Sequence, residues 1–152
     1  MKEMIELDEL DHKILELLEE DSRQSYREIA KKLEISHVSV SNRIKKMEEE
    51  GIILGYSTVM NPEKLGFYPL CLRISPDSGS DLSNIGRKIA KNRAVKVVLR
   101  VSGECELLAL AMCENREKAI DLLNDIHKIT GIDKAESHVV LDTIKLNGIQ
   151  LK

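Results

Sequence analysis

The side chains with the clearest chemical use lie between residues 36 and 46, where small polar residues precede two lysines. An asparagine amide can pair with adenine, a valine methyl can pack on thymine, and a serine hydroxyl can contact either kind of base edge. A lysine ammonium can replace the counterions that condense on phosphates. At about 100° per residue, one face of a helix presents these side chains together: Val38, Asn42, Lys45 and Glu49, flanked by Ser39, Ser41 and Lys46. The pattern predicts contacts with double-stranded DNA, with Asn42 as the main reader of bases.

The charge of the chain is unevenly distributed. The net charge is −3 at pH 7, which taken alone argues against a nucleic-acid partner. Residues 22–47, however, hold seven basic and two acidic residues, a net of +5. Fields near a duplex decay within a Debye length of about 10 Å, so a local basic block can act inside an acidic protein. The alternative is a solvated helix face without a partner.

Residues beside this face extend the candidate DNA site. Arg23 and Gln24 lie where they could contact the DNA backbone, and Arg43 falls next to the buried side of the helix. For Arg43, an ion pair with the acidic residues near the N-terminus and a phosphate contact are equally expected. The predicted DNA-binding residues are Arg23, Gln24, Ser36, His37, Val38, Ser39, Ser41, Asn42, Arg43, Lys45 and Lys46.

Three short helices are predicted to position these residues. The first follows Asp8, a suitable N-cap, and its pattern breaks at residues 21–22. The second begins at Ser25, which forms a capping box with Glu28. The third is capped by Ser36 and runs to about residue 50, where Gly51 suits a left-handed position. The inward-facing residues are Leu7, Leu10, Ile14, Leu17, Leu18, Ile29, Ala30, Leu33, Val40, Ile44 and Met47. With a tight turn before the third helix, they form a helix-turn-helix unit.

The remaining sequence changes from a helical to an α/β pattern. Residues 1–52 form the predicted helix-turn-helix domain. Residues 53–66 form a connecting strand and hinge, in which Asn61-Pro62 marks a turn and Gly66 is the end. Residues 67–152 show strand, helix, strand, strand, helix and strand in that order. The predicted fold is therefore α+β: an N-terminal winged-type helix-turn-helix followed by a ferredoxin-like βαββαβ domain.

Two predicted strands of this second domain are apolar on both faces. Residues 107–112 are apolar at every position, and residues 97–99 form an adjacent apolar run. Because the two helices can cover only one face of the sheet, the other face needs a partner. The simplest partner is a second copy, so we expect a homodimer. Further assembly into a tetramer or an octamer stays open.

The motifs of this chain resemble those of the Lrp/AsnC, or feast/famine, family. The resemblance rests on residues 7–15, 21–25, 29–30, 35–36, 43–48 and 51–53, and in the second half on the Ser102-Gly103-Glu104 sequence. It implies a transcription regulator modulated by a small molecule, most simply an amino acid. It also places effector binding near Ser102, Gly103, Glu104, Cys105 and Glu106. The family usually carries an aromatic residue and then Asp where this sequence has Cys105 and Glu106.

Other classes of function have little support in the sequence. Cys71, Cys105 and Cys113 lack paired spacing, which fits reduced thiols in apolar strands, and the four histidines are scattered. No apolar run approaches the roughly 20 residues of a membrane span, and no signal peptide is visible, so a cytoplasmic location without membrane contact is expected. No metal, cofactor or catalytic motif is apparent, and we expect no enzyme activity. Two alternatives remain: a siroheme-decarboxylase-like enzyme on the same fold, which would bind a tetrapyrrole, and an architectural protein that wraps DNA with weak sequence preference.

Overall fold

Side-chain caps begin each helix of the N-terminal part of the chain. A computed structural model describes residues 6–103 and 105–151 and contains three N-terminal helices, α1 (Glu9–Glu20), α2 (Tyr26–Leu33) and α3 (His37–Glu49). The N-caps are Asp8, Ser25 and Ser36, and the side chain of each accepts a backbone N–H from three residues further on. The caps predicted from the sequence are confirmed, because a cap depends on residues close together in the chain.

These helices pack around a small apolar core. Its buried members are Ile14, Ile29, Ala30, Val40, Ile44 and Met47. The turn between α2 and α3 is tight because Glu34 adopts a left-handed conformation with φ of 56°. Gly51 follows α3 at a φ of 70°, as predicted for the residue after a helix. The helix-turn-helix arrangement and the inward faces of its helices are thus confirmed.

The strand predicted within residues 53–66 is absent from the structure. Among the described residues the first strand of the chain begins at Tyr68, so the connecting strand does not form. A strand needs a neighbour to take up its backbone groups, and residues 54–60 have none within the described chain. The Asn61-Pro62 turn is confirmed, since the N–H of Lys64 donates to Asn61 Oδ1 at 3.1 Å and that of Phe67 to the carbonyl of Pro62 at 2.9 Å.

The second unit, Val59–Lys152, contains the predicted βαββαβ order. Its elements are β1 (Tyr68–Pro76), α4 (Leu82–Ala90), β2 (Val95–Arg100), β3 (Leu107–Cys113), α5 (Arg116–His127) and β4 (Ile132–Val139). The sheet order is β2-β3-β1-β4, and every neighbouring pair is antiparallel. This is the ferredoxin-like arrangement. β4 begins three residues before the predicted start because Ile132 already pairs with Pro76.

Two short strands at the end of the second unit were not predicted. They are β5 (Lys145–Leu146) and β6 (Ile149–Gln150), which pair as a hairpin. Asn147 and Gly148 between them both have positive φ, 45° and 80°. Asn-Gly is the strongest short signal for such a turn, so the sequence does hold the information for this hairpin. Among the described residues no helix is long and apolar enough to cross a membrane.

Candidate nucleic-acid interface

The outer face of α3 presents the predicted base-reading side chains to solvent. His37 and Asn42 are exposed, and Val38 keeps 53% of its surface accessible. Ser39 and Ser41 are half-buried at the two edges of this face. The first turn of α3 contains no acidic residue, so the positive end of the helix dipole is not offset there. The structure therefore brings these residues together on one surface that can approach an anionic duplex.

Lys45 and Lys46 follow on the same exposed surface. Their ammonium groups lie 3.8 Å from Glu49 and 3.9 Å from Glu50, with 72% and 68% of the lysine side chains exposed. Ion pairs this long and this exposed contribute at most about 1 kcal/mol. Both lysines can consequently exchange their intramolecular partner for a phosphate at little cost.

Arg43 forms the ion pair that was one of its two predicted alternatives. Its Nη1 lies 2.6 Å from Asp8 Oδ2 and 2.7 Å from Asp11 Oδ1. The backbone N–H of Asp11 and then the guanidinium of Arg43 hold the pKa of the Asp8 carboxyl below its ordinary value. Hydrogen bonds to Asp11 and Asp8 raise the pKa of Arg43. Arg43 is therefore engaged inside the unit in this structure, and its contact with DNA stays a prediction.

Gln24 is also engaged inside the unit rather than free for DNA. Its Nε2 donates to the carbonyl of Leu17 at 2.7 Å and, more weakly, to that of Asp21 at 3.3 Å. Its Oε1 accepts from the ammonium of Lys32 at 2.6 Å. These contacts satisfy carbonyl groups at the C-terminal end of α1, and the DNA contact of Gln24 likewise stays a prediction. The side chain of Arg23 lies exposed beside it.

Tyr56 was not singled out from the sequence, yet it anchors the segment that follows α3. Its hydroxyl donates to Glu48 Oε1 at 2.9 Å. Burial, and then this hydrogen bond, raise the pKa of Tyr56 to about 12. The contact joins residues eight apart across a bend after Gly51, and no local pattern signals it.

The uncovered apolar face predicted for the second unit is present. Helices α4 and α5 pack with buried residues of β1 and β3, among them Leu72 and Ala109. Side chains alternate along a strand, so the intervening residues point to the other face. There Leu99 is 47% and Leu110 39% exposed. A charged strip borders the apolar residues, in which Glu136 lies 3.8 Å from Arg73 and 2.6 Å from Lys134.

The predicted effector loop is the connection between β2 and β3. Ser102 and Glu106 are exposed, Cys105 is half-buried, and Gly103 has a φ of 119°. Glu104 lies outside the described residues. Cys71 and Cys113 lie in strands as expected, whereas Cys105 lies in this loop, and the three thiols are free. Within the described residues, no group of three metal-ligating side chains is present.

A cleft of about 580 Å³ lies at the opposite end of the β2–β3 hairpin. It is lined by Met60, Phe67, Asn92, Arg93, Ala94, Lys96, Met112, Cys113, Glu114, Lys118, Asp121, Leu122 and Asp125. The described residues of the 102–106 loop are not among them. Sequence reasoning missed this cleft because four separate segments build it, and none of them carries a recognisable motif.

The fold defines a protein of two units, a helix-turn-helix unit of the kind found in DNA-binding regulators and a ferredoxin-like unit. A family model described as the AsnC-type helix-turn-helix domain matches residues 7–48. A second, described as the Lrp/AsnC ligand binding domain, matches residues 70–149. The chain belongs to the Lrp/AsnC family of transcription regulators.

Similar proteins agree with this assignment. The chain is 39% identical over 141 residues to an uncharacterized HTH-type transcriptional regulator of Pyrococcus furiosus, covering 93% of this chain and 95% of that relative. It is 34% identical over 140 residues to the HTH-type transcriptional regulator LrpA of Pyrococcus horikoshii, covering 91% and 99%. A transcriptional regulator of Neisseria meningitidis, solved as an L-Met complex, superposes with a TM-score of 0.78 at 26% identity, covering 93% and 94%. These relatives are named as regulators rather than enzymes, and they support transcription regulation instead of the decarboxylase alternative.

Proposed function

We propose that the chain regulates transcription by placing α3 in the major groove of its target DNA, as a homodimer that responds to an amino acid. The exposed polar face of α3 is the observation that carries this proposal. In helix-turn-helix proteins the N-terminal residues of the second motif helix contact base edges. Here that position holds His37, Val38, Ser39, Ser41 and Asn42.

The residues of this face divide into two roles. Asn42 and Val38 can read adenine and thymine edges, and the serine hydroxyls can contact either kind of base. Lys45, Lys46 and Arg23 supply charge to phosphates, which positions the protein without reading sequence. Ser36 supports both roles indirectly, because its Oγ accepts the N–H of Ser39 at 3.0 Å and so begins the helix.

The proposal is tested by selecting bound fragments from genomic DNA with the full-length protein, with and without a mixture of amino acids. A few strongly enriched sites that share a pseudo-palindromic motif are expected, because a symmetric dimer carries two equivalent recognition helices. Uniform recovery of all fragments would instead indicate an architectural DNA-wrapping protein. A coloured preparation with bound tetrapyrrole would indicate the decarboxylase alternative.

A second copy of this chain is the proposed partner for the open sheet face. Leaving Leu99 and Leu110 in water is unfavourable, and a twofold axis would let the same face cover itself. Leu110→Asp should therefore yield a monomer in light scattering of the full chain. Ile120→Asp is the matched control, since Ile120 is comparably exposed but lies on α5. Equal masses for both variants and the unmodified chain would contradict this interface.

An amino acid is the proposed effector, supported by the match of residues 70–149 and by the L-Met complex of the Neisseria relative. Two places in the second unit compete for it: the loop of residues 102–106 and the cleft at the other end of the hairpin. Thermal shift with the twenty amino acids identifies the ligand, because saturation at about 100 times Kd stabilises by roughly 2.7 kcal/mol. Loss of that shift in Ser102→Trp, but not in Glu114→Trp, would assign the loop, and the reverse result the cleft, because Glu114 is an exposed residue of the cleft lining.

A cytoplasmic location follows from the DNA-binding role, and we propose it on that ground. In prokaryotes such as Pyrococcus and Neisseria, to which the relatives belong, chromosomal DNA lies in the cytoplasm.

A further inference from the structure

Asp8 and Asp11, the two acidic residues that contact Arg43, each accept a second hydrogen bond from a backbone N–H. Asp8 Oδ1 accepts the backbone N–H of Asp11 at 2.9 Å, while Asp8 Oδ2 faces Arg43 at 2.6 Å. Asp11 Oδ2 accepts the backbone N–H of Asp8 at 3.2 Å, while Asp11 Oδ1 faces Arg43 at 2.7 Å. The capping box of α1 thus presents one outward oxygen from each carboxylate, and Arg43 on α3 occupies both.

This contact is partly shielded from solvent. The side chain of Arg43 is 27% exposed and that of Asp11 is 15% exposed. Shielded charge pairs are screened by salt much less than exposed pairs. The buried face of Val40, Ile44 and Met47 sets the rotation of α3 about its own axis. Charge-assisted hydrogen bonds are directional, so the contact with Arg43 restrains that rotation further. The ion pair therefore adds an angular restraint to the one that the apolar core of this unit provides.

Arg43 directly follows Asn42 in the chain, so the rotation that Arg43 sets also sets the direction of the Asn42 amide. We propose that Arg43 is a positioning residue for DNA recognition, which holds α3 at the angle that presents Asn42 to base edges. This inference rests on the proposed docking of α3 in the major groove. It assigns Arg43, Asp8 and Asp11 to sequence discrimination without any contact to DNA.

The sharpest test is Asp11→Asn in the full-length protein. A charge effect would change the affinity for all DNA alike, whereas a positioning effect would change the ratio of cognate to random affinity. Removing an acid from a DNA-binding unit would by charge alone tighten binding to every sequence. The positioning role predicts instead that the ratio of cognate to random affinity falls roughly fivefold to tenfold. Glu9→Gln is the matched control, since Glu9 lies in the same first turn and pairs with Lys13 at 2.6 Å, not with Arg43. It should leave the ratio unchanged.

Arg43→Gln completes the test, with affinity measured by fluorescence anisotropy across a range of salt. The ratio of cognate to random affinity should fall as in Asp11→Asn. In the double variant of Asp11→Asn with Arg43→Gln the ratio should fall no further, and Arg43→Lys should retain part of it. The slope of log K against log salt should stay unchanged, because no phosphate contact is lost. Lys45→Ala is the reference, and it should reduce that slope by about 0.9 per subunit.

The outcomes separate this inference from the function on which it rests. An Arg43→Gln slope reduced by about 0.9 per subunit would make Arg43 a phosphate contact and overturn the positioning role. So would an Asp11→Asn variant that leaves the ratio unchanged, with or without tighter binding to all DNA, while Lys45→Ala behaves as expected. If neither Lys45→Ala nor Lys46→Ala changes the slope, the docking of α3 is wrong and both proposals fail.

Discussion

Replacing Asn42 by alanine separates base reading from phosphate neutralisation. The Asn42 side chain is exposed, and within the described part of the chain no hydrogen bond holds its amide. Its truncation should therefore change the free energy of unfolding by no more than about 0.5 kcal/mol. Any larger effect on binding then reflects contacts with DNA rather than damage to the fold.

The expected loss of DNA affinity follows from the two polar atoms of the Asn42 amide, the oxygen and the nitrogen. A bidentate contact with adenine contributes about 1–3 kcal/mol of discrimination, which corresponds to roughly 5- to 150-fold in affinity for one half-site. Asn42→Ala should weaken the cognate site by that amount and leave random DNA nearly unchanged. Preference should relax at one base position in each half-site.

Lys45→Ala should behave differently in the same fluorescence anisotropy assay. It loses an ion pair to Glu49 that is already 3.8 Å long and exposed, so the fold should be little affected. Binding to cognate and random DNA should weaken alike. Lys13→Ala is the control, because Lys13 is an exposed lysine of α1 that pairs with Glu9, and the salt slope of this variant should not change.

Two results would refute this reasoning. If Asn42→Ala weakens all sequences equally, α3 docks in another register and Asn42 contacts the DNA backbone. If neither Lys45→Ala nor Lys46→Ala changes the salt slope, the basic block of residues 22–47 is a solvated surface, and the proposed interface lies elsewhere.

Three further predictions concern the stability of the two units. Because the Asp8 carboxyl has a lowered pKa in the folded chain, its stabilising effect is present above the unfolded value near 3.8. That effect should be lost as the pH falls through the pKa of the folded state. The free energy of unfolding in urea should therefore fall less between pH 7 and pH 3 for Asp8→Asn than for the unmodified chain. Ile44→Ala should cost about 2–5 kcal/mol in urea unfolding, because Ile44 is fully buried and the truncation leaves a cavity. Gly131→Ala should lower the Tm more than Gly51→Ala. Both glycines have a positive φ, but a Cβ at Gly131 would lie 2.8 Å from Ser80 Oγ, whereas a Cβ at Gly51 would meet open space.

Short-range patterns in the sequence determined most of the architecture. Asp8, Ser25 and Ser36 predicted where α1, α2 and α3 begin, because a cap and the N–H it accepts lie three residues apart. Apolar periodicity then predicted which face of each helix is buried and gave the βαββαβ order of the second unit. The exposed face of α3 follows from the same periodicity, so the residues proposed to read DNA could be named without a structure.

Contacts between distant residues were decided only by the tertiary structure. The sequence predicts a phosphate contact and an ion pair with α1 equally for Arg43. Packing brings Arg43 to Asp8 and Asp11, which lie 35 and 32 residues away in the chain. Residues 53–66 have strand propensity, yet they form no strand because pairing depends on a neighbour that the described chain does not provide. The cleft beside α5 likewise exists only where separate segments meet. Local propensity is set by a few adjacent residues, whereas a partner, a pairing strand or a cavity depends on where the whole chain has folded.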